Sequence, residues 1–516
     1  MTRRPQRNIS TKEPARKATR FIYPEPILSP MHLFVIPGDT LTKPEDDYDA
    51  YFLAETQGLC THFKYHKHKI TFFLASMRRF ANTALEGENV HYEELGGESQ
   101  SYQALLEHYL EDNDVERVTT YTPKDKFFTA VQDACENTET EYEEIPNPNF
   151  LTTPQEFKSF LEDNKYFHDA FYRWQRKRLN ILVDKDQKPV NGKWSFDADN
   201  RERLKDPSKV PSLPEINENT TVNEVKRVVE KRFPNHPGDT NTFWLPTTRE
   251  ESEEWLETFL QERFEDFGPY QDAINSDVDF GFHSVISPMM NNGLLNPHYV
   301  VDRAVQWYED HDTAYNSVEG FIRQIIGWRE FMKGVYDNES LEQNYFDNQR
   351  GLTEDWYEAT TGLDPVDDVI MQSQRYGYAH HIQRLMVVSN AMLLLEVHPK
   401  EAYRWFMEFY VDSADWVMQP NVYDMGQYAT GGLFATKPYI SSSNYIRKMS
   451  DYGKASWSND WDALYWAFID KHRDTFKDNN RMKFMIRLLD KKGEEELQEI
   501  RSRAKDVKNR ITKPSP

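Results

Sequence analysis

The sequence predicts a two-part fold, a Rossmann-like α/β domain followed by an all-α domain. Three observations carry this expectation. The chain has 516 residues, more than one hydrophobic core usually organises, so two domains are the natural division. A short apolar strand, His32-Leu-Phe-Val-Ile-Pro37, runs into Gly38-Asp39, the kind of strand exit at which α/β domains hold ligands. Alternating helix and strand patterns continue to about Ile145, whereas helical periodicity alone dominates from Thr221 to about Leu489.

Each element follows in order. Residues 1–30 carry seven Lys/Arg against two acids, with scattered prolines, and are expected to be a disordered basic arm. The α/β domain takes residues 31–149; a helix is expected over 69–84, and Pro146-Asn-Pro-Asn149 breaks the pattern. Residues 150–220 are an interdomain connector with one helix over 153–182 and a polar loop from Asp184 to Trp194. Asp184 and Asp186 in that loop offer oxygen ligands that suit Mg²⁺, with a plain solvated loop as the alternative. The all-α domain spans 221–490. Its clearest helix runs from Asn316 to Tyr336, with Val318, Phe321, Ile322, Ile325, Ile326, Met332 and Val335 on one apolar face. Asn316 followed by Glu319 reads as a capped start, and Arg323, Gln324, Trp328, Arg329 and Glu330 crowd the other faces. A purely structural helix rarely needs so many polar groups. Residues 491–516 read as a charged helix fading into a tail.

Composition narrows the classes. Only Cys60 and Cys135 are present, so neither a disulfide framework nor a four-thiolate metal site can be built from this chain, and a reducing, cytoplasmic setting is expected. The longest apolar run, around Leu385 to Leu395, is too short to cross a bilayer, which predicts a soluble protein with no membrane partner. Aromatic residues are 14% of the chain, with 12 Trp and 28 Tyr, enough for stacking surfaces or electron relays beyond core packing. A net charge of −23 argues against a phosphate-rich partner unless basic groups are locally gathered. Two such clusters exist, Arg173–Arg178 and Lys226–Arg232, with solvated helix faces as the competing account.

The block Glu319-Gly-Phe-Ile-Arg-Gln-Ile-Ile-Gly-Trp-Arg-Glu330, with Tyr378-Ala-His-His-Ile-Gln-Arg-Leu-Met386, Pro420-Asn-Val422, Thr436-Lys-Pro-Tyr439, Met449-Ser-Asp-Tyr452 and Ala463-Leu-Tyr-Trp466, resembles the bacterial branch of the photolyase/cryptochrome family that contains the prokaryotic (6-4) photolyases, the iron–sulfur bacterial cryptochromes and photolyases. The likeness extends from about Leu33 to His472. It implies that the first domain holds an antenna chromophore and the second holds FAD. The expected activity is light-driven, FAD-dependent repair of (6-4) pyrimidine photoproducts in UV-damaged DNA, by a monomer associated with the nucleoid. A cryptochrome-like blue-light photoreceptor without repair activity is the alternative, and a helical interaction protein that has lost the cofactor is a third reading.

The resemblance also assigns residues. His381 matches the histidine that protonates the lesion, with His380 as its partner; imidazole suits the task because its pKa lies near ambient pH. Arg384, three residues beyond His381 and on the same side of a predicted helix, matches the arginine paired with an acid beside the flavin, here Asp412. His283, Ser284 and Ser287 match the phosphate-contacting segment, and Arg323, Gln324, Trp328, Arg329, Met418 and Asn421 complete the flavin set. Met418 stands near where many relatives have Glu, with Gln419 as a candidate substitute acceptor. Trp405, Trp356 and Tyr357 fall in the region of the family's electron-transfer route; packing is the other account. Asp39, Glu55 and His66 match surroundings of a 6,7-dimethyl-8-ribityllumazine antenna. The four cysteines that hold a four-iron, four-sulfur cluster in relatives are replaced by approximately Pro365, Gly453, Ser456 and Asn459, so no such cluster is expected, with Trp457 and Trp461 packing in its stead.

Overall fold

The computed structural model describes residues 31–96, 100–217 and 219–514; the expected basic arm, residues 1–30, lies outside them. The first domain is built on five parallel strands, β1 (Met31–Val35), β2 (Ala50–Ala54), β3 (Val90–Glu93), β4 (Val115–Tyr121) and β5 (Glu141–Ile145), in the order β3-β2-β1-β4-β5. Leu33 faces Ala50 on one side and Val118 on the other, which fixes the register at the centre. Side chains alternate across the sheet. Leu33 and Val35 pack under the helices Tyr102–Asp112 and Ala130–Thr138, whereas Phe34 and Ile36 join a core that continues into the helical domain. Exposed acids of β5, Glu141, Glu143 and Glu144, blunt the free edge.

The strand order reverses between β1 and β4, and in such sheets ligands bind where the connections part at the carboxyl ends of the strands. The loops there are Pro37-Gly-Asp39 and Pro123-Lys-Asp125. The expected helix over 69–84 is observed as Lys67–Thr83, started by the His66 side chain, which accepts from the His68 amide. It is buried along most of its length because it lies between the sheet and the helical domain.

Four details differ from the sequence reading, each for a physical reason. The single helix expected over 153–182 is two, Pro154–Asp163 and His168–Leu179, because Asn164 turns the backbone extended and its amide closes on the Phe160 carbonyl. The connector is also no free spacer: Phe157, Phe160 and Phe171 are buried in the helical core. The Asn316–Glu319 capping box does not form; Asn316 donates to Asn200, and Glu319 accepts from the Phe196 amide and from Arg323. Finally, the charged tail is a docked element. Helix Glu494–Ile511 buries Leu497, Ala504, Val507 and Ile511, and a strand β7 (Thr512–Pro514) pairs antiparallel with β6 (Arg350–Leu352), a small sheet that ties the tail to the region expected to be wholly helical.

Candidate functional site

The helical domain surrounds a cavity of about 280 Å³. Three π-helical turns, Arg323–Arg329, Gln383–Ser389 and Pro420–Gly426, all contribute to its wall. A π turn fits one extra residue into a helix, re-aims the side chains around it, and recurs at functional sites for that reason. Here the first turn presents Gln324, Trp328 and Arg329, the second Arg384 and Ser389, the third Asn421 and Val422. Asn421 is held from both ends, accepting from the Trp328 indole at 3.1 Å and donating to the Val417 carbonyl at 2.7 Å.

At the base, Arg384 grips Asp412 through two bonds of 2.8 and 3.2 Å, while the Ser287 hydroxyl donates to the same carboxylate at 2.7 Å. The guanidinium also lies 3.9 Å from the centre of the Tyr410 ring and donates to the Ala379 carbonyl. Burial opposes its charge, but Asp412 and Tyr410 outweigh burial, and the Arg384 pKa is raised.

Three histidines stand together. His283 and His380 stack with ring centres 4.8 Å apart, and His381 projects into the cavity with its ring 6.5 Å from Trp328. Burial, then the neighbouring His381, pulls His283 down to about 4; burial and Arg384 pull His381 down to about 4; burial and His283 take His380 well below the usual histidine range. His381 is open to the cavity although it lies deep in the molecule. Only His283 and His381 line the cavity, and His380 stands behind them with its backbone N–H on the Gln383 side chain.

Ser284, Ser287, Met418 and Asn421 also line the cavity. Val285, between the two serines, has φ 56, an uncommon conformation for a β-branched residue. Arg323 does not line it: its guanidinium turns away to Glu319 at 3.1 Å and Asp197 at 3.3 Å. Nor does Gln419 serve beside Met418, because its amide donates to both oxygens of Asp415 on the far side of the helix.

From the cavity wall at Phe406 an aromatic file runs outward. Trp405 packs on Phe406 and stacks on Phe409 at 4.4 Å, and Phe409 lies 5.8 Å from Tyr357. Trp356 joins the file through its backbone carbonyl, which accepts from the Trp405 indole at 3.0 Å; its own indole donates to Ile511 of the C-terminal helix.

A second cavity, about 170 Å³, opens at the β1/β4 switch of the first domain. Asp39 and Glu55 line it; His66 does not, being fully buried between Gly238 and Gly377 with its ring on the Gln374 carbonyl. Glu55 is satisfied by Arg78 through two bonds, the Tyr92 hydroxyl and the Leu95 amide. Sequence reasoning missed Lys124 and Asp125, whose signal was their place just beyond β4. The two cavities share Asn291 and Asp412 as a common wall.

Other expected sites take structural duties. Arg176 is fully buried and donates to the carbonyls of Ile181, Leu182 and Trp194, and Arg178 pairs with Glu156. The basic cluster Arg173–Arg178 is therefore no continuous phosphate-binding surface. Asp184 spends one carboxylate oxygen on the amides of Asp186 and Lys188, closing its own turn. Among the described residues no three His, Cys, Asp or Glu side chains gather as a metal site, and no helix is long and apolar enough to cross a membrane. Where relatives' cluster cysteines would fall, Pro365 is buried while Gly453, Ser456 and Asn459 are exposed. Trp457 and Trp461 are buried beside them, edge to face at 6.2 Å.

A test of ligand fit comes from buried donors. Arg329 Nε and Nη2 and the Trp416 indole N–H, all on residues of the larger cavity, have no hydrogen-bond partner among the described residues, nor has His283 Nε2. A buried donor without an acceptor is costly. These atoms are closed off from the cavity as the side chains stand, so they would reach the acceptors of a flavin dinucleotide only by turning toward it, beside the Ser284, Gln324 and Asn421 side chains that already line the wall.

This is a flavin-binding type of architecture, an α/β domain docked on a helical domain with a cavity whose wall carries both arginines and aspartates. The comparisons agree. Residues 36–245 match the family described as deoxyribodipyrimidine photo-lyase-related protein, and residues 319–456 match the FAD binding domain of DNA photolyase. A (6-4) photolyase of Agrobacterium fabrum is 33% identical over 452 residues, 84% of this chain and 89% of that protein. A bacterial class III photolyase from Agrobacterium tumefaciens shares the fold with a TM-score of 0.56 at 15% identity, over 92% of each chain. The Synechocystis cryptochrome does so with a TM-score of 0.55 at 11% identity, over 94% of this chain and all of that one. The chain belongs to the photolyase/cryptochrome family.

Proposed function

We propose that this protein is a light-driven, FAD-dependent enzyme that repairs (6-4) pyrimidine photoproducts in DNA. The observation that carries this reading is one cavity with the Arg384–Asp412 pair at its base and His381 exposed within it. Arg329 and Trp416 would donate to the cofactor, and Ser284 would border its phosphates. Asn421 and Gln324 would fix its orientation. Bound FAD, reduced and excited by light, supplies the electron that the lesion requires.

His381 would hold the proton. Its pKa of about 4 leaves the imidazole neutral at neutral pH in the protein alone. Negative charge brought close by a reduced cofactor and DNA phosphates raises it, so that the proton is taken up where it is needed. Trp405 and the aromatic file toward Tyr357 would carry electrons inward, with Trp356 in support. In the first domain Asp39 and Glu55 would border a ribityllumazine antenna.

The low resting pKa of His381 is also the observation that favours the second reading, a photoreceptor without repair. An oligonucleotide carrying a (6-4) photoproduct, illuminated with blue light beside the FAD-loaded protein, separates the two. Light-dependent restoration of the pyrimidines supports repair. Bound FAD with no restoration assigns the photoreceptor role.

A further inference from the structure

Two buried lysines of the first domain reach the wall that separates the cavities. Lys69, on the helix Lys67–Thr83, donates to the Ser413 carbonyl at 2.6 Å and to its hydroxyl at 2.9 Å. Lys124, just beyond β4, donates to the Asn291 carbonyl at 2.7 Å and to the Asp39 carbonyl. The Asn291 amide in turn donates to the Asp412 carbonyl at 2.9 Å. The backbone around Asp412 is thus held from the first domain, while its carboxylate is held from the other side by Arg384 and Ser287.

Both lysines are buried, Lys69 8% and Lys124 2% exposed, and no carboxylate among the described residues lies within ion-pair distance of either; burial pulls Lys69 down to about 7 and Lys124 down to about 8, and the Lys69 ammonium lies 3.9 Å from the centre of the Tyr65 ring. Burying an unpaired charge costs stability, whereas an apolar side chain of similar length avoids that cost but leaves the carbonyls without their donor. Stability alone therefore does not single out lysine here. What they do hold is the position of carbonyl oxygens on the two segments that form the shared wall.

We propose that Lys69 and Lys124 are positioning residues for the flavin: they set the Asp412–Arg384 pair from the first domain, so that changes at the first cavity are felt as changes in flavin redox equilibrium at the second. This rests on the reading of the larger cavity as the FAD site. Removing a positive donor here lowers the local potential and loosens the Asp412 backbone. The first effect makes the flavin harder to reduce, and the second weakens its hold in the cavity.

The test uses the FAD-loaded full chain and its Lys69→Met and Lys124→Met variants. The readouts are the flavin midpoint potential, from spectroelectrochemical titration, and the FAD dissociation rate. The expected shift favours the oxidised flavin about tenfold, about 59 mV for a one-electron step, and Lys69→Arg restores most of it. Lys126→Met is the control. It removes a first-domain ammonium that bonds the Tyr336 carbonyl across the domain junction, away from the wall. It should weaken domain docking and leave the potential in place.

Wild-type potentials in both Met variants overturn the proposal, and so does an equal shift in Lys126→Met. Should the Met variants fail to fold, Ser413→Ala decides, since it deletes one acceptor of Lys69 and leaves the ammonium on the Ser413 carbonyl, losing besides only the hydroxyl's bond to the Met407 carbonyl. A shift of about threefold supports the proposal and an unchanged potential overturns it. Wild-type protein without flavin absorbance would instead overturn the FAD reading itself, and with it the proposal.

Discussion

The two cavities differ in how far the protein satisfies its own polar groups. In the first domain Glu55 has four hydrogen bonds from three partners, Arg78, Tyr92 and Leu95, all within its domain, and of the groups lining that cavity the Tyr102 hydroxyl is left without a partner among the described residues. In the helical domain the Arg329 guanidinium keeps two nitrogens without an acceptor, and Trp416 and His283 each keep one. A completed network needs little from a ligand and lends shape and stability; an incomplete one is specific for what completes it. The helical cavity is therefore where binding should depend on single residues, and the first cavity is where the fold should.

The largest expected contrast is in repair. His381→Ala should retain FAD and lose repair by a factor of about 10²–10⁴, the span of general acid catalysis. Quantified turnover of a (6-4) oligonucleotide under saturating light is the measurement. Repair at the parent rate would remove His381 from the chemistry.

Next come the two buried ion pairs. Removing one partner leaves a buried charge uncompensated, at about 3–5 kcal/mol. Asp412→Ala should release FAD along with that stability. Glu55→Ala should lose comparable stability in denaturant titration, because Arg78 loses two bonds, yet keep FAD once folded. Flavin loss of equal size in both variants would erase the distinction between the cavities.

Acid should act on the helical cavity first. His283 and His381 have folded-state pKa values of about 4, below the ordinary 6.5, and His380 lies lower still. The unfolded chain therefore binds more protons between those values, so this contribution to stability is complete above about pH 6.5 and is lost as pH falls toward 4. FAD release should rise over that window, and His283→Asn with His380→Asn should flatten the slope. Asp125, in the first cavity, titrates in the opposite sense, because burial and then Asp39 raise it to about 7. A titration of FAD release that is flat from pH 6.5 to 4 in the parent would show that the histidines do not couple to the site.

Much of this was legible in the sequence, and the failures share a cause. The strand exit at Gly38 and the break at Pro146 are local signals; the first strand ends at Val35, before the one, and the last strand of the sheet ends at Ile145, before the other. Arg384 and Asp412 came from ordered motifs, and the structure joins them. What stayed hidden depends on tertiary packing. Apolar spacing does not register a π turn, so the rotation that sends Arg323 away from the cavity could not be read, although Arg329, assigned together with it, does line the cavity. His66 lies among antenna-like residues in sequence, but its ring is enclosed by Gly238 and Gly377, which come from far along the chain. The C-terminal segment reads as charged because its apolar positions are few, yet Leu497, Ala504, Val507 and Ile511 share one buried face.

The smallest expected effect concerns the basic cluster at Arg173–Arg178, where the sequence suggested a DNA surface. Of its arginines, Arg176 is fully buried on carbonyls, and Arg178 is tied to Glu156. Arg173 remains about half exposed, in a pair of 2.8 Å with Asp169. An exposed pair of this kind contributes about 0–1 kcal/mol, and a phosphate contact from one side chain is screened within about 10 Å at 0.1 M salt. Arg173→Glu should therefore change stability by no more than about 0.5 kcal/mol. Its effect on damaged-duplex affinity, read by fluorescence anisotropy across a salt series, should stay below about threefold, with the salt slope reduced by less than one. Arg176→Met, in contrast, should destabilise the fold, since three carbonyls lose their donor. A tenfold loss of DNA affinity in Arg173→Glu would put the DNA on this face after all, and would extend the helical cavity's single-residue sensitivity to the protein surface.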